Sequence, residues 1–269
     1  MSTYRLASMF APRSIALVGV GSRANAVGRI VLANLRASGF RGAIHIVHPR
    51  AASIDGVTCV PSLAALPEPV DLVVITTPAE VTPAVVAEAA ARKCMGAIIL
   101  TAGLGHGAGS LAEAARLAAR PHGLRLLGPN CLGLMVPRVG LNASFAARAP
   151  AEGNLALVSQ SGAIVAGIVE WAASRKIGFS AVASLGDMVD VDFGDCLDHF
   201  ADDPRTRAIL LYIESITEPR KFFSAARAAA RTKPVIVMKA GRHAGGARAA
   251  ATHTGALAGA DAVYAAAFA

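Results

Sequence analysis

One alternation recurs along this chain: a short run of β-branched and aliphatic residues, then an Ala-rich helical stretch. In the first half, apolar runs at 14–20 (SIALVGV), 43–47, 70–76 (VDLVVIT), 97–101 and 125–127 are separated by helical stretches near 26–38, 81–92 and 111–120. The apolar residues are consecutive within each run rather than every second one. Strands of that kind are buried on both faces, which means a parallel sheet with helices above and below. A Gly/Pro-rich stretch follows at 128–153, with Pro129, Gly133, Pro137, Gly140 and Pro150. The alternation then restarts, with strands expected at 154–158, 180–184, 208–213 and 235–238 and helices near 163–175, 193–201 and 220–231. Residues 241–259 read as a Gly-rich loop, with a further helix beginning near Ala260. The expected fold class is α/β: a helix-covered parallel sheet at 1–128, a linker at 129–153, and a second parallel α/β domain at 154–269.

Charge and composition narrow the function classes. Lys and Arg total 26 against 18 Asp and Glu, a net charge of +8. Charged residues are only 16 % and mean hydropathy is +0.50, which excludes a disordered charged tail. Aromatics are 5 % and the surplus Arg is scattered, so a stacking platform for nucleic acid is not expected. A basic balance suits small anions such as phosphates and nucleotides instead. Cys59, Cys94, Cys131 and Cys196 are far apart and form no CxxC pair, which argues against zinc fingers and disulfides. No apolar run approaches the roughly 20 residues that span a bilayer. The N-terminal residues lack the pattern of a secretory leader, so the expectation is a cytoplasmic, reduced protein with no membrane contact.

Five places hold candidate chemistry, each with an ordinary alternative. The first strand runs into Gly19-Val20-Gly21-Ser22, a strand-to-helix turn where a phosphate meets backbone amides; the same glycines can simply make a tight turn. The spacing is not GxGxxG, and the second strand ends in His48-Pro49-Arg50 rather than an acidic residue, so a nicotinamide-dependent oxidoreductase is disfavoured. Cys131, in GPNCLG, is read as a small buried thiol beside a ligand rather than a nucleophile. Ser161 opens a helix, as an anion site or as a plain N-cap. Glu214 ends an apolar strand with a carboxylate, and His253 sits in the Gly-rich loop. Neutral imidazole is a nucleophile whose tautomer a carboxylate can fix, yet a solvated loop histidine is the ordinary alternative. His45, His48, His106, His122, His199 and His243 show no metal-ligand spacing, and no metal site is expected.

Taken in order, LVGVGSR, VHPR, TTPAEV, LTAGLG, RLLGPNCLGL, LVSQSGAI, SLGDMVDVDF, LLYIESI and ATHTGALAG resemble the NDP-forming acyl-CoA synthetases. That superfamily includes succinyl-CoA synthetase α subunits and ADP-forming acetate–CoA ligases, and the resemblance implies a Rossmann-like CoA-binding domain at 1–128 followed by a flavodoxin-like ligase domain at 154–269. The chain is also similar to the N-terminal region of Pat-type protein lysine acetyltransferases. The resemblance implies that Gly19, Gly21, Ser22 and Arg23 hold CoA phosphates, that Pro49 and Arg50 lie near the CoA nucleotide, and that Thr77 and Pro78 make the third-strand contact with CoA. It implies that Asn130 and Cys131 meet the pantetheine end and that Ser161 and Gly162 cradle phosphate. His253 would carry the phosphoryl group in transit, with Glu214 hydrogen-bonded to it. His48 and Arg50 depart from the usual Asn and Lys there.

The resemblance further implies CoA, phosphate, and ADP or ATP with Mg brought by a partner. That partner is an ATP-grasp domain or β subunit, in a hetero- or homo-oligomer that converts a small carboxylic acid to its acyl-CoA. The alternative is a non-catalytic CoA-sensing module of a fused acetyltransferase.

Overall fold

The computed structural model describes residues 3–21 and 23–241. A short helix, α1 (Leu6–Phe10), precedes β1 (Ser14–Val18), α2 (Val27–Ala37), β2 (Ala43–Val47), β3 (Ser53–Ile54), β4 (Val57–Val60), β5 (Leu72–Ile75), α3 (Thr82–Ala91), β6 (Gly96–Ile99), α4 (Leu111–Ala119) and β7 (Arg125–Leu127). These strands form one seven-stranded sheet in the order β3-β4-β2-β1-β5-β6-β7. All neighbours are parallel except the short β3–β4 pair. The parallel strands run outward in both directions from β1, the doubly wound Rossmann order. Strand order reverses between β1 and β5, so a crevice opens beyond their carboxyl ends.

The second half comprises β8 (Gly133–Val136), β9 (Leu141–Ser144), β10 (Glu152–Ser159), α5 (Gly162–Ser174), β11 (Phe179–Ser184), α6 (Phe193–Asp202), β12 (Ala208–Ile213), α7 (Pro219–Ala230) and β13 (Val235–Lys239). Its sheet has the order β13-β12-β10-β11-β8-β9. The strands β10 to β13 are mutually parallel and order themselves as in flavodoxin, with the reversal between β10 and β12. An antiparallel hairpin, β8–β9, closes one edge against β11.

That hairpin corrects the reading of 129–153 as a linker. Each of its strands is four residues long, and Pro137 and Gly140 sit in the turn, so turn residues outweigh the strand signal. An alanine methyl at Gly140 would stand 2.7 Å from the Gly39 carbonyl, so the hairpin turn is pressed against the end of α2. The helix α1 and the pair β3–β4 were also not expected, being too short to show a period. The loop expected at 241–259 and the helix expected near Ala260 lie beyond Gly241, outside the described residues.

Packing explains the consecutive apolar runs. On the first sheet, Ile15, Leu17, Leu72 and Val74 face one side, and Ala16, Val18, Val73 and Ile75 the other. The first side belongs to a core that continues through α2 (Val31, Leu32, Leu35) into the second sheet at Leu134, Ala156, Val158, Ala183 and Leu211. Each such Leu or Ile contributes about 1.5–3 kcal/mol of burial, so the two halves are fused rather than tethered. The other face of the second sheet is covered near β10 and β11 by α5, through Val165, Val169 and Ala172. No helix among the described residues is long and apolar enough to cross a membrane.

Candidate functional site

The carboxyl edge of the first sheet is shaped by missing side chains. Gly19 follows β1 with φ +94°, and a methyl there would stand 2.6 Å from the Thr77 backbone nitrogen. Both the conformation and the space demand glycine. Gly28, inside α2, meets the same limit: a methyl would stand 2.9 Å from Thr76 Oγ1 and from Val20 Cα. Gly19 and Gly28 therefore perform the turn and helix-packing tasks of a dinucleotide-type glycine motif, at a longer spacing. Gly21 accepts a hydrogen bond on its carbonyl from Arg29 Nε at 3.1 Å. Arg23 is exposed beside this turn, and Ser22 lies outside the described residues.

Across the crevice, Thr77 is buried and rigidly held. Its carbonyl accepts from Thr101 Oγ1 at 2.7 Å, and its hydroxyl lies 3.2 Å from that of Thr82. The Thr82 hydroxyl also donates to the Pro78 carbonyl at 3.1 Å, leaving Pro78 presented at the surface. Beyond β2, His48 Nδ1 accepts from the backbone N–H groups of Arg50 at 3.2 Å and Ala51 at 2.9 Å. The histidine thus closes the turn as an Asn side chain would, with Pro49 and Arg50 exposed at its tip.

After β7 comes the Gly128–Leu132 loop. Gly128 has φ +97° and Asn130 φ 57°, with a cis bond between Gly128 and Pro129. The Asn130 N–H donates to Thr101 O at 2.9 Å, and its side-chain amide donates to Asp187 Oδ1 at 3.2 Å. Burial pushes the Cys131 thiol up to about 12, while its Sγ donates to Ile99 O at 3.4 Å. Such a thiol stays protonated at neutral pH, which favours the packing role over the nucleophilic one.

The second sheet's edge is shaped by polar side chains instead. Ser161 caps α5, its hydroxyl accepting from Ile164 N–H at 3.4 Å. The Ser159 hydroxyl accepts from Ser161 N–H at 3.1 Å and donates to Ser161 O at 2.9 Å. At the end of β12, Glu214 is half-buried; its N–H donates to Gln160 Oε1 at 2.7 Å and its carbonyl accepts from Lys239 Nζ at 3.2 Å. Burial, and then the Glu214 charge, holds the nearby Tyr212 phenol above its ordinary value. His253 lies outside the described residues.

The two edges meet. A methyl on Gly162 would stand 3.1 Å from Leu132 Cβ, so the start of α5 abuts the Asn130–Leu132 loop. A seam of backbone bonds fixes this approach: the N–H groups of Asp187, Val189 and Val191 donate to the carbonyls of Pro129, Gly128 and Leu126, each at 3.0 Å. Gly186, at φ +56°, allows it, because a methyl there would collide with Pro129 O at 2.1 Å. Behind the seam, buried Arg125 pairs with Asp190 at 2.9 Å and Asp195 at 3.1 Å, and Lys221 pairs with Asp192 at 3.0 Å and Asp195 at 2.7 Å. Asp192 and Asp195 also form a capping box on α6.

The sequence reading placed no role on Gln160, Asp187, Arg125, Asp190, Asp195 or Lys221. The Asp-rich stretch LGDMVDVDF was the available signal, since three acids interleaved with buried apolar residues need partners.

Residues 13–137 match the CoA binding domain family, and residues 152–269 match the succinyl-CoA ligase like flavodoxin domain family. The chain is 40 % identical over 264 residues to the ADP-forming acetate–CoA ligase I of Archaeoglobus fulgidus, covering 97 % of this chain and 38 % of that protein. It is 38 % identical to the α subunit of the ADP-forming acetate–CoA ligase I of Pyrococcus furiosus, covering 98 % of this chain and 58 % of that one. A solved structure described as a dinucleotide forming acetyl-coenzyme A synthetase 1 of Ca. Korarchaeum cryptofilum, in complex with phosphate and ADP, superposes with a TM-score of 0.92 at 36 % identity. It covers all of this chain and 58 % of that one. The chain thus spans between 38 % and 58 % of the length of these relatives.

Proposed function

We propose a function from the premise that this chain belongs to the superfamily of NDP-forming acyl-CoA synthetases, of which it carries the CoA-binding domain and the succinyl-CoA ligase-like flavodoxin domain. The chain is the α-type portion of an ADP-forming acid–thiol ligase, with a CoA-binding half at 1–128 and a phosphoryl-handling half at 154–269. The hairpin-bearing stretch 129–153 joins them. One observation carries this reading: the start of α5 abuts the Asn130–Leu132 loop, so a group held by Ser161 and a group held by Asn130 are neighbours.

The residues fit CoA on the first edge. The Gly19 turn leaves room only for a backbone approach; Arg23 and Arg29 lie beside it, Arg29 paired with Asp55, and Arg50 stands at the end of the neighbouring strand β2. In this reading Gly21, Pro49, Thr77 and Pro78 are the further CoA contacts between that turn and Asn130. The CoA thiol supplies the leaving group and nucleophile of acyl transfer. On the second edge, Ser161, Gly162 and the α5 N-terminus offset phosphate charge.

In the direction from acyl-CoA, a phosphate oxygen attacks the thioester carbonyl, the C–S bond breaks, and an acyl phosphate forms. A neutral ring nitrogen of His253 then attacks phosphorus, and the carboxylic acid leaves as its carboxylate. Glu214 holds the imidazole in the attacking tautomer and balances the charge it gains. The phosphoryl group finally passes to ADP on an ATP-grasp domain or subunit, the partner that also brings Mg. The substrates are a small carboxylic acid and CoA.

The test is phosphorylation. Assembled with an ATP-grasp partner, the protein takes label from radiolabelled ATP and His253→Ala does not. Equal labelling of both removes the phosphohistidine from the reading. Titration calorimetry on the same protein gives CoA binding that weakens in Arg50→Glu.

A further inference from the structure

We infer that Gln160 is a positioning residue for phosphoryl transfer, setting the place of Glu214 relative to the Ser161 cap; this rests on the function proposed above. The strands β10 and β12 are paired as far as Ser159 and Tyr212, and the last backbone bond runs from Gln160 N–H to Tyr212 O at 3.2 Å. Beyond it the two chains diverge, one into α5 and one toward α7. The Gln160 side chain continues the ladder across that gap. Its Oε1 accepts from Glu214 N–H at 2.7 Å and from Ser215 N–H at 2.8 Å. Its Nε2 donates to Ser215 Oγ at 3.1 Å.

The orientation of the amide is not interchangeable. Two converging N–H donors require an oxygen, so a flipped amide would set donor against donor. One side chain therefore ties together two turns lying 54 residues apart in sequence. Its own residue sits directly before Ser161, so the cap and the backbone that carries the Glu214 carboxylate are tied to each other. In the proposed function Ser161 contacts the phosphate and Glu214 the imidazole of His253. Gln160 bonds to the backbone at Glu214 and to Ser215 and acts through the neighbouring Ser161 and Glu214.

The experiment uses the protein assembled with its ATP-grasp partner, and measures the rate of His253 labelling from ATP alongside CoA affinity and thermal unfolding. Gln160→Met keeps the length and removes both acceptor positions, leaving two N–H groups without partners. Labelling falls about tenfold or more, the scale of an unsatisfied partly buried donor, and CoA affinity is unchanged. Gln160→Asn, one methylene too short to reach, gives the same loss and keeps the test decisive should the Met variant fail to fold.

The discriminating measurement is the pair with Glu214→Gln. If Gln160 acts through Glu214, the double variant is no slower than Glu214→Gln alone. Losses that multiply, a labelling rate equal to that of the unaltered protein, or CoA affinity falling in step with the rate would overturn the inference. Label persisting in His253→Ala would instead overturn the function on which it rests.

Discussion

The two sheets solve the same problem by opposite means. Each opens a crevice where its strand order reverses, between β1 and β5 in the first and between β10 and β12 in the second. The first crevice is built from the absence of side chains: Gly19 and Gly28 stand where a methyl would strike backbone or hydroxyl atoms below 3 Å. The second is built from side chains that satisfy backbone groups, all from one turn: Ser159 and Ser161 within that turn, and Gln160 reaching across to the turn at Glu214. A site emptied of side chains suits a long ligand that lies along the backbone. A site of fixed polar groups suits a compact charge held at one point. The seam at residues 186–191 holds the two sheet edges against each other.

The largest expected effect comes from cutting behind the seam. Arg125→Met removes the cation between Asp190 and Asp195, the latter only 1 % exposed. Buried pairs broken on one side cost about 3–5 kcal/mol. Denaturant unfolding of the variant shows a loss of that size, and CoA binding and His253 labelling weaken together because both edges lean on the seam. Loss of one activity without the other would mean that the edges are held independently. Gly19→Ala comes next. A non-glycine residue at φ +94° costs roughly 1–3 kcal/mol before the clash with Thr77 is added. Calorimetry shows CoA affinity falling sharply while a phosphate-edge readout on the folded fraction is kept; equal damage to both would erase the contrast between the crevices.

What could be read from the sequence follows the same division. The strands at Ala43–Val47, Arg125–Leu127 and Ala208–Ile213 match their expected bounds to the residue, because each short, mainly apolar run ends against glycine, proline or charged residues. The hairpin β8–β9 was hidden because its pairing lies with β11, more than forty positions on, while its own residues spell turn. The turns at Gly19 and Ser161 were visible because each is a single contiguous segment at a strand end. Asn130 with Asp187, Gln160 with Glu214 and Arg125 with Asp190 are separated by 57, 54 and 65 residues. Local propensity carries no information about which distant side chain will complete a site. His48 shows a further limit: it reads as a departure from Asn, yet its Nδ1 accepts the same kind of turn bonds.

A smaller effect sharpens the contrast from the other side. Ser161→Ala removes the cap of α5, worth about 1 kcal/mol of stability. Gly162 and the remaining free amides still face the phosphate edge, so labelling of His253 slows while CoA affinity stays at its original value. A CoA affinity that falls with Ser161→Ala would show that the second crevice helps to hold the nucleotide end of the ligand.

The smallest effect concerns Asp187, the residue that reaches from the second half to hold Asn130 in the first. Burial, opposed by the Asn130 hydrogen bond and by the His106 charge, holds its carboxyl above the ordinary 3.8. The native state therefore keeps this proton more tightly than the unfolded chain does. Its contribution to stability is full below 3.8 and is lost as pH rises through the higher native value. Asp187→Asn keeps an acceptor for the Asn130 amide and has no proton to lose. At neutral pH the variant unfolds at the same temperature as the unaltered protein or slightly higher. As pH is lowered toward about 4, the unaltered protein gains relative to the variant, because only Asp187 takes up a proton. Thermal unfolding across pH 4 to 7 measures that difference. A difference that does not change with pH would mean that Asp187 titrates as a solvated surface acid, and that its hold on Asn130 is incidental to how the two edges are joined.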